Sequence, residues 1–215
     1  MNNRIGVDIG GTFTDFVMYD EESFTIIISK LPTTPKNPEL ATIEIVSSSA
    51  NQEQLKEVKY FLHGTTVGLN AILSREGIKV GLITTKGFRD VLEIRRGDRD
   101  EMYNLFWTPK NILVPRYLRI GVEERIKADG EILNKLNTAE VKKAISFFKD
   151  ENVNSIAVCL LHSYANAEHE NKIYEMIKNS NFDFQVSLSH KISGEFREYE
   201  RTTTTIIDAF VKGRM

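Results

Sequence analysis

Two consecutive glycines sit between a carboxylate and two threonines in Asp8-Ile9-Gly10-Gly11-Thr12-Phe13-Thr14-Asp15. Ile5, Val7 and Ile9 alternate with Gly6, Asp8 and Gly10, which is the period of a half-buried strand, and extended character resumes from Phe13 to Tyr19. The glycines therefore fall where one strand turns back on the next. A phosphate bound by main-chain N–H groups needs an approach that a Cβ would block, and Gly10 and Gly11 offer two such positions in succession. Thr12 and Thr14 add hydroxyl donors. Asp8, at the end of the first strand, is placed to hold a hydrated Mg²⁺ against phosphates, with Asp15 in support. The competing reading is a tight hairpin turn beside an acidic residue. No Gly-Lys-Ser/Thr follows, and the next element is a strand, so the loop is neither a P-loop nor a dinucleotide fingerprint.

A third strand over residues 24–29 completes an antiparallel meander. Pro32, Pro35 and Pro38 mark an extended connector, and residues 39–50 read as a helix with Leu40, Ile43 and Val46 on one face. From about residue 59, short apolar strands (60–62, 80–83, 155–161, 185–188) alternate with helices (67–75, 139–149, 167–178), the order of a parallel α/β sheet. Asn137 and Asn166 stand where helix N-caps belong. Residues 87–136 fit this alternation poorly: they carry Trp107, Pro109, Pro115, the cluster Arg95-Arg96-Gly97-Asp98-Arg99 and a hairpin signal at Ala128-Asp129-Gly130, and they read as an insertion.

With 28 Lys+Arg against 30 Asp+Glu, the 215-residue chain lacks the basic footprint of a nucleic-acid binder. No apolar run approaches the roughly 20 residues of a membrane span, and the single cysteine, Cys159, lies inside an apolar run as a small buried hydrophobe. The expected setting is a reducing cytoplasm, with neither nucleic acid nor membrane as partner.

Outside the loop the candidates are less specific. His63 follows a strand, and Thr65 or Thr66 would start the next helix, so Gly64, Thr65 and Thr66 offer N–H groups to an anion or a carbonyl oxygen; helix capping beside a structural histidine accounts for them equally well. Arg89 and Asp90 follow a strand end, where α/β folds place ligand clefts, or they form a surface ion pair. Arg95, Arg96 and Arg99 form either an anion clamp or a self-paired solvated face, and His162 reads as structural. In the last helix, about 194–211, Thr202-Thr203-Thr204-Thr205 runs against helix propensity. The hydroxyls either line a cleft beside Arg197 and Arg201 or bond the preceding turn, and Glu195, Glu198 and Glu200 offer those arginines surface pairs.

The opening loop resembles the first phosphate loop of the actin, hexokinase and Hsp70 superfamily. Together with His63-Gly64-Thr65-Thr66-Val67, Gly81-Leu82-Ile83-Thr84-Thr85-Lys86-Gly87-Phe88-Arg89-Asp90-Val91, Ala157-Val158-Cys159-Leu160-Leu161-His162-Ser163-Tyr164 and Arg197-Glu198-Tyr199-Glu200-Arg201-Thr202, it resembles the N-terminal region of the hydantoinase/oxoprolinase family. The resemblance implies an α/β, RNase H-like lobe of the actin-like ATPase type, with a mixed sheet flanked by helices and the inserted segment 87–136. It also implies ATP and Mg²⁺ as cofactors and opening of a cyclic amide, hydantoin or 5-oxoproline, by phosphorylation of the amide oxygen. The alternatives are a ketone carboxylase subunit and a non-catalytic ATP-binding module. His63, Thr65, Thr66, Arg89 and Asp90 would serve catalysis; Asp8, Gly10, Gly11, Thr12, Thr14 and Asp15 would serve the nucleotide, and Asp8 the metal. No second phosphate loop is visible in residues 100–215, so the resemblance further implies the first lobe of a longer two-lobed protein. Its partners would be a C-terminal lobe, a companion hydantoinase B-type subunit and further copies in an oligomer.

Overall fold

Alternation in the first strand decides the first sheet. In the computed structural model, which describes residues 3–34, 37–109 and 112–214, β1 (Asn3–Ile9) buries Ile5, Val7 and Ile9 and turns Arg4 and Asp8 outward. β2 (Phe13–Asp20) pairs with it antiparallel, Ile9 facing Thr14 and Asp8 facing Asp15, and β3 (Thr25–Pro32) adds a third strand. After α1 (Pro38–Ser49) and α2 (Gln52–Lys56), β4 (Val58–Thr65) joins β1 in parallel, giving the order β3-β2-β1-β4, and α3 (Val67–Ser74) follows. The core of this unit is Ile5, Val7, Phe16, Met18 and Ile45. Pro35 of the expected connector lies outside the described residues.

Two expectations change here. Helix α1 buries Ala41 and Ile45, whereas Leu40 and Ile43 are half-exposed or more. Its apolar residues lie all around the helix, so periodicity selected no face, and small Ala41 allows the closer approach to the sheet. The strand expected at 60–62 runs on to Thr65, so His63, Gly64 and Thr65 belong to β4 itself.

The chain divides into two compact units, the first ending at Glu76 and the second beginning at Gly77. In the second, β5 (Val80–Thr85) is followed by α4 (Val91–Ile94), a 3-10 turn at Arg116–Leu118, β6 (Arg119–Val122) and the hairpin β7 (Arg125–Ile126) and β8 (Ile132–Asn134). Then come α5 (Thr138–Asp150), β9 (Ser155–Cys159), α6 (Glu168–Lys178), β10 (Gln185–Leu188), α7 (Ser189–Ile192) and α8 (Glu198–Val211). The sheet is wholly parallel in the order β10-β9-β5-β6. Every residue of β5 and β9 is buried, as expected of parallel strands covered on both faces. Gly81 meets the Phe148 ring of α5 on one face, and Cys159, on the other, accepts from Thr202 of α8.

The expected insertion is therefore shorter than 87–136, because Arg119–Val122 is an edge strand of this sheet. Its alternation is disguised by Arg119, 1% exposed, whose Nε donates to the Val114 carbonyl at 2.9 Å. The hairpin turn at Gly130 forms as expected, with φ at 87°. Asn137 caps α5 by accepting from Ala139 and Glu140 N–H groups, while the Glu140 carboxylate accepts from Glu123. Among the described residues no helix is long and apolar enough to cross a membrane.

Candidate functional site

The turn between β1 and β2 is closed from within. Gly10 N–H donates to the Phe13 carbonyl at 2.9 Å, and a Cβ on Gly10 would sit 2.7 Å from that same oxygen. Behind the turn, Thr33 donates its hydroxyl to the Gly10 carbonyl at 3.0 Å and stands 3.0 Å from the Thr14 hydroxyl. Thr14 is fully buried, so it holds the loop in place instead of presenting a donor to solvent, contrary to the sequence expectation. It lies on the core face of β2 with Phe16 and Met18. Gly11 and Thr12 are exposed.

Three further groups converge on the turn. The Asp8 carboxylate lies over Gly64 of β4, where a Cβ would come within 3.1 Å of Oδ1, so glycine at 64 leaves that carboxylate its room. Asn70 of α3 approaches Gly11, and a Cβ there would stand 2.9 Å from Nδ2. Thr66 N–H donates to the Ile9 carbonyl at 3.1 Å, which ties the start of α3 to the end of β1. Thr65 accepts from Val67 N–H, and the Thr66 hydroxyl faces the Ile9 carbonyl and Asn70. The site thus gathers the exposed main chain of Gly11 and Thr12, an outward carboxylate and a helix start, an arrangement able to receive an anion with its counter-cation.

The other candidates fall out as follows. His63 is exposed on β4, opposite Val7. Asp15 pairs with Lys30 at 3.0 Å, so it is not free to support a metal. Asp90 accepts both Nε and Nη2 of Arg116 at 2.8 and 3.0 Å, with Arg89 at 3.9 Å; Arg89 and Asp90 take the surface-pair reading. Arg116 holds the Asp90 carboxyl below its ordinary 3.8. A carboxyl lowered in the folded state adds stability above 3.8 that is lost as pH falls through the folded value. Asp90→Asn accordingly lowers the urea midpoint slightly at neutral pH, discounted for exposure, and the difference from the unsubstituted protein closes in acid.

Arg95 and Arg99 lie over the Trp107 ring, and Arg96 pairs with Glu200 at 2.6 Å. His162 is structural, its Nδ1 2.7 Å from the Ile126 carbonyl. In the threonine run, Thr204 and Thr205 bond the preceding turn's carbonyls, while Thr202 lines a pocket. Both readings of the run hold, for different residues.

The sequence did not disclose the buried polar network of the second unit. Glu170, fully buried, accepts from Leu160 N, Ser189 Oγ and His190 N and lies 2.7 Å from His190 Nδ1. Arg201, which spacing assigned to a surface pair, is 1% exposed. The Glu124 carboxylate is shared between Thr85 and His169. The one signal available was a charged residue at a core position of an amphipathic helix, Glu170 in register with Ile173 and Ile177. Burial also pushes the Cys159 thiol up, Arg201 opposing it.

Comparison with known proteins places this geometry in a family. The chain is 41% identical over 215 residues to an uncharacterised protein of Methanocaldococcus jannaschii, covering 99% of this chain and 31% of that one. It is 34% identical over 216 residues to caprolactamase subunit alpha of Pseudomonas jessenii, covering 97% and 31%. The nucleotide-free structure of acetone carboxylase, an enzyme of ATP-dependent acetone carboxylation, matches with a TM-score of 0.86 at 27% identity over 99% of this chain and 32% of that one. The chain thus spans about a third of the length of these relatives. Residues 4–181 match the hydantoinase/oxoprolinase N-terminal region, and the chain belongs to that family.

Proposed function

We propose that the chain supplies the nucleotide-phosphate site of an ATP-dependent enzyme that opens a cyclic amide of the hydantoin or 5-oxoproline class, as the first lobe of a longer two-lobed protein. The observation that carries this reading is the Gly10–Gly11 turn, flanked by the exposed Asp8 carboxylate and the start of α3. Gly11 and Thr12 would direct main-chain N–H groups and a hydroxyl at phosphate oxygens, and Thr33 and Thr14 would hold the turn in register.

The donor set fits magnesium on one condition. Among the described residues Asp8 has no hydrogen-bond or ion-pair partner, and no group of three acidic or imidazole ligands exists there, so the ion would take Asp8, waters and phosphate oxygens as its shell. When bound, Mg²⁺ supplies neutralising charge for the transferring phosphoryl group. The amide oxygen would attack the γ-phosphorus as the bond to ADP breaks; water then adds to the activated carbon, the C–N bond opens as the nitrogen takes up a proton and leaves an acyl phosphate, and a second water releases phosphate from it to give the carboxylate. Exposed His63, with Thr65 and Thr66 near the end of β1, would orient the reacting carbonyl.

A second reading, carboxylation of a ketone, is favoured by the likeness to acetone carboxylase. Ring-opened product formed with ADP supports the first, and incorporation of labelled bicarbonate the second. For the nucleotide site, calorimetric titration of the full-length protein with Mg-ATP should show Asp8→Asn weakening affinity about tenfold or more, because one charged ligand contact is worth roughly 1.5–3 kcal/mol. Arg99→Ala, which removes a cation lying over Trp107, should leave affinity unchanged. Equal effects of the two would overturn the assignment.

A further inference from the structure

β4 is the least covered strand of the first unit. Every residue from Lys59 to Thr65 is exposed, on both faces of the strand. Phe61 stands beside Ile5 in the parallel register, yet Ile5 is 1% exposed and Phe61 50%. On the other face Leu62, beside Gly6, is 66% exposed, and Tyr60 is 48% exposed. The core that covers β1 and β2 therefore stops short of β4. Three large apolar side chains in a row are left in water, the mark of a contact surface.

The main chain of β4 is as open as its side chains. β4 ends the order β3-β2-β1-β4, with β1 as its partner. Thr66 N–H donates to the Ile9 carbonyl, so in this parallel ladder the N–H groups of Leu62 and Gly64 turn toward β1, and those of Phe61, His63 and Thr65 turn away. Among the described residues no main-chain group meets them. Sheet edges that stay free are guarded by charge, proline or brevity. The opposite edge follows that rule, since β3 carries Lys30 and ends on Pro32. β4 is eight residues long, holds no proline and has its one lysine at Lys59, before the apolar stretch.

We propose that the edge of β4 receives an extended segment from the remaining two-thirds of the full-length protein. This chain spans about a third of the length of its relatives, so such a segment is available within one polypeptide, at high effective concentration. Its main chain takes up the groups of Phe61, His63 and Thr65, and its side chains are apolar on both faces, beside Tyr60 and Leu62 on one and Phe61 on the other. Pairing with β4 of a second copy would satisfy the same main-chain groups but bring only another uncovered strand, leaving both faces in water. A continuing chain supplies the strand and the layers over it. The inference rests on the reading of this chain as one lobe of a longer protein, and it makes no use of the nucleotide.

Hydrogen exchange of the full-length protein without nucleotide, read residue by residue, tests it. The N–H groups of Phe61 and His63 should exchange about a hundredfold or more slower than in an unprotected chain, as those of Leu62 and Gly64 do against β1. Phe61→Pro deletes one outward donor and spares the β1 ladder, so exchange at His63 and Thr65 should speed up about tenfold, and Phe61→Leu should leave it unchanged. If Phe61→Pro fails to fold, exchange in the unsubstituted protein still decides. A photo-crosslinking residue in place of Leu62 should join a peptide of the same polypeptide outside residues 1–215. Unprotected exchange at Phe61 and His63, or a crosslink to a second copy alone, would overturn the proposal. Intact mass separates that failure from failure of the lobe reading: a native protein of 24.5 kDa has no segment to donate, whereas a longer chain with an open β4 edge refutes the added strand alone.

Discussion

Gly10→Val should abolish measurable nucleotide binding. The new Cβ would stand 2.7 Å from the Phe13 carbonyl oxygen, a main-chain atom that cannot rotate away and that also accepts the Gly10 N–H. Relief of that clash requires the turn to open, which breaks this bond and the Thr33 contact to the Gly10 carbonyl. The N–H groups then lose their common direction, and a loss of about a hundredfold or more follows from two to three misplaced donors at roughly 1–1.5 kcal/mol each. Two neighbours grade the effect. Gly64→Ala comes closest to the Asp8 carboxylate, at 3.1 Å, which can rotate, and touches the Val7 carbonyl oxygen at an ordinary 4.0 Å, so its loss should be a few-fold; Gly6→Ala meets nothing within 4 Å and should bind normally. Calorimetry on the three variants should follow that order. Normal affinity in Gly10→Val would remove the turn from the nucleotide site.

Glu170→Ala should be the most destabilising single change in the second unit. The carboxylate is fully buried and joins the residue after β9 to α7 through its contacts with Leu160, Ser189 and His190. Truncation leaves those donors without an acceptor and takes a negative charge away from the Ser189–Arg201 contact. Breaking a buried charged network in this way costs about 3–5 kcal/mol, and thermal unfolding followed by circular dichroism should shift down by roughly 6–20 °C. Glu170→Gln keeps one carbonyl acceptor and should lose about half as much. A shift of only a degree or two in Glu170→Ala would mean that water takes over the carboxylate's role.

What the sequence disclosed depended on whether a residue acts through its local chain. The strand–glycine–strand turn was legible because Ile5, Val7 and Ile9 alternate and Gly10 and Gly11 interrupt them, and the parallel sheet because short, largely apolar strands such as β5 and β9 alternate with helices. The partners of the turn were not legible. Thr33 and Asn70 reach it across the strand pairing and from α3, and no spacing in a linear chain encodes those approaches. Spacing offers Thr14 to phosphate and Asp15 in support of the metal, yet adjacent strand residues face opposite sides, which sends Thr14 to the core and leaves Asp15 beside Lys30 on the neighbouring strand. Arg201 was misplaced for a related reason: an arginine three residues after a glutamate looks like a surface pair until the sheet beneath the helix is known.

The lone thiol has a practical consequence for all of these measurements. Cys159 is 3% exposed, burial has moved its ionisation upward, and no second cysteine exists in the chain. A maleimide or fluorophore reagent therefore has little thiolate to attack in the native protein. A cysteine introduced at Leu69, on the exposed side of α3, would be the accessible thiol of residues 1–215, the natural one being buried. Wild-type background labelling would then serve as a clock for opening of the second unit.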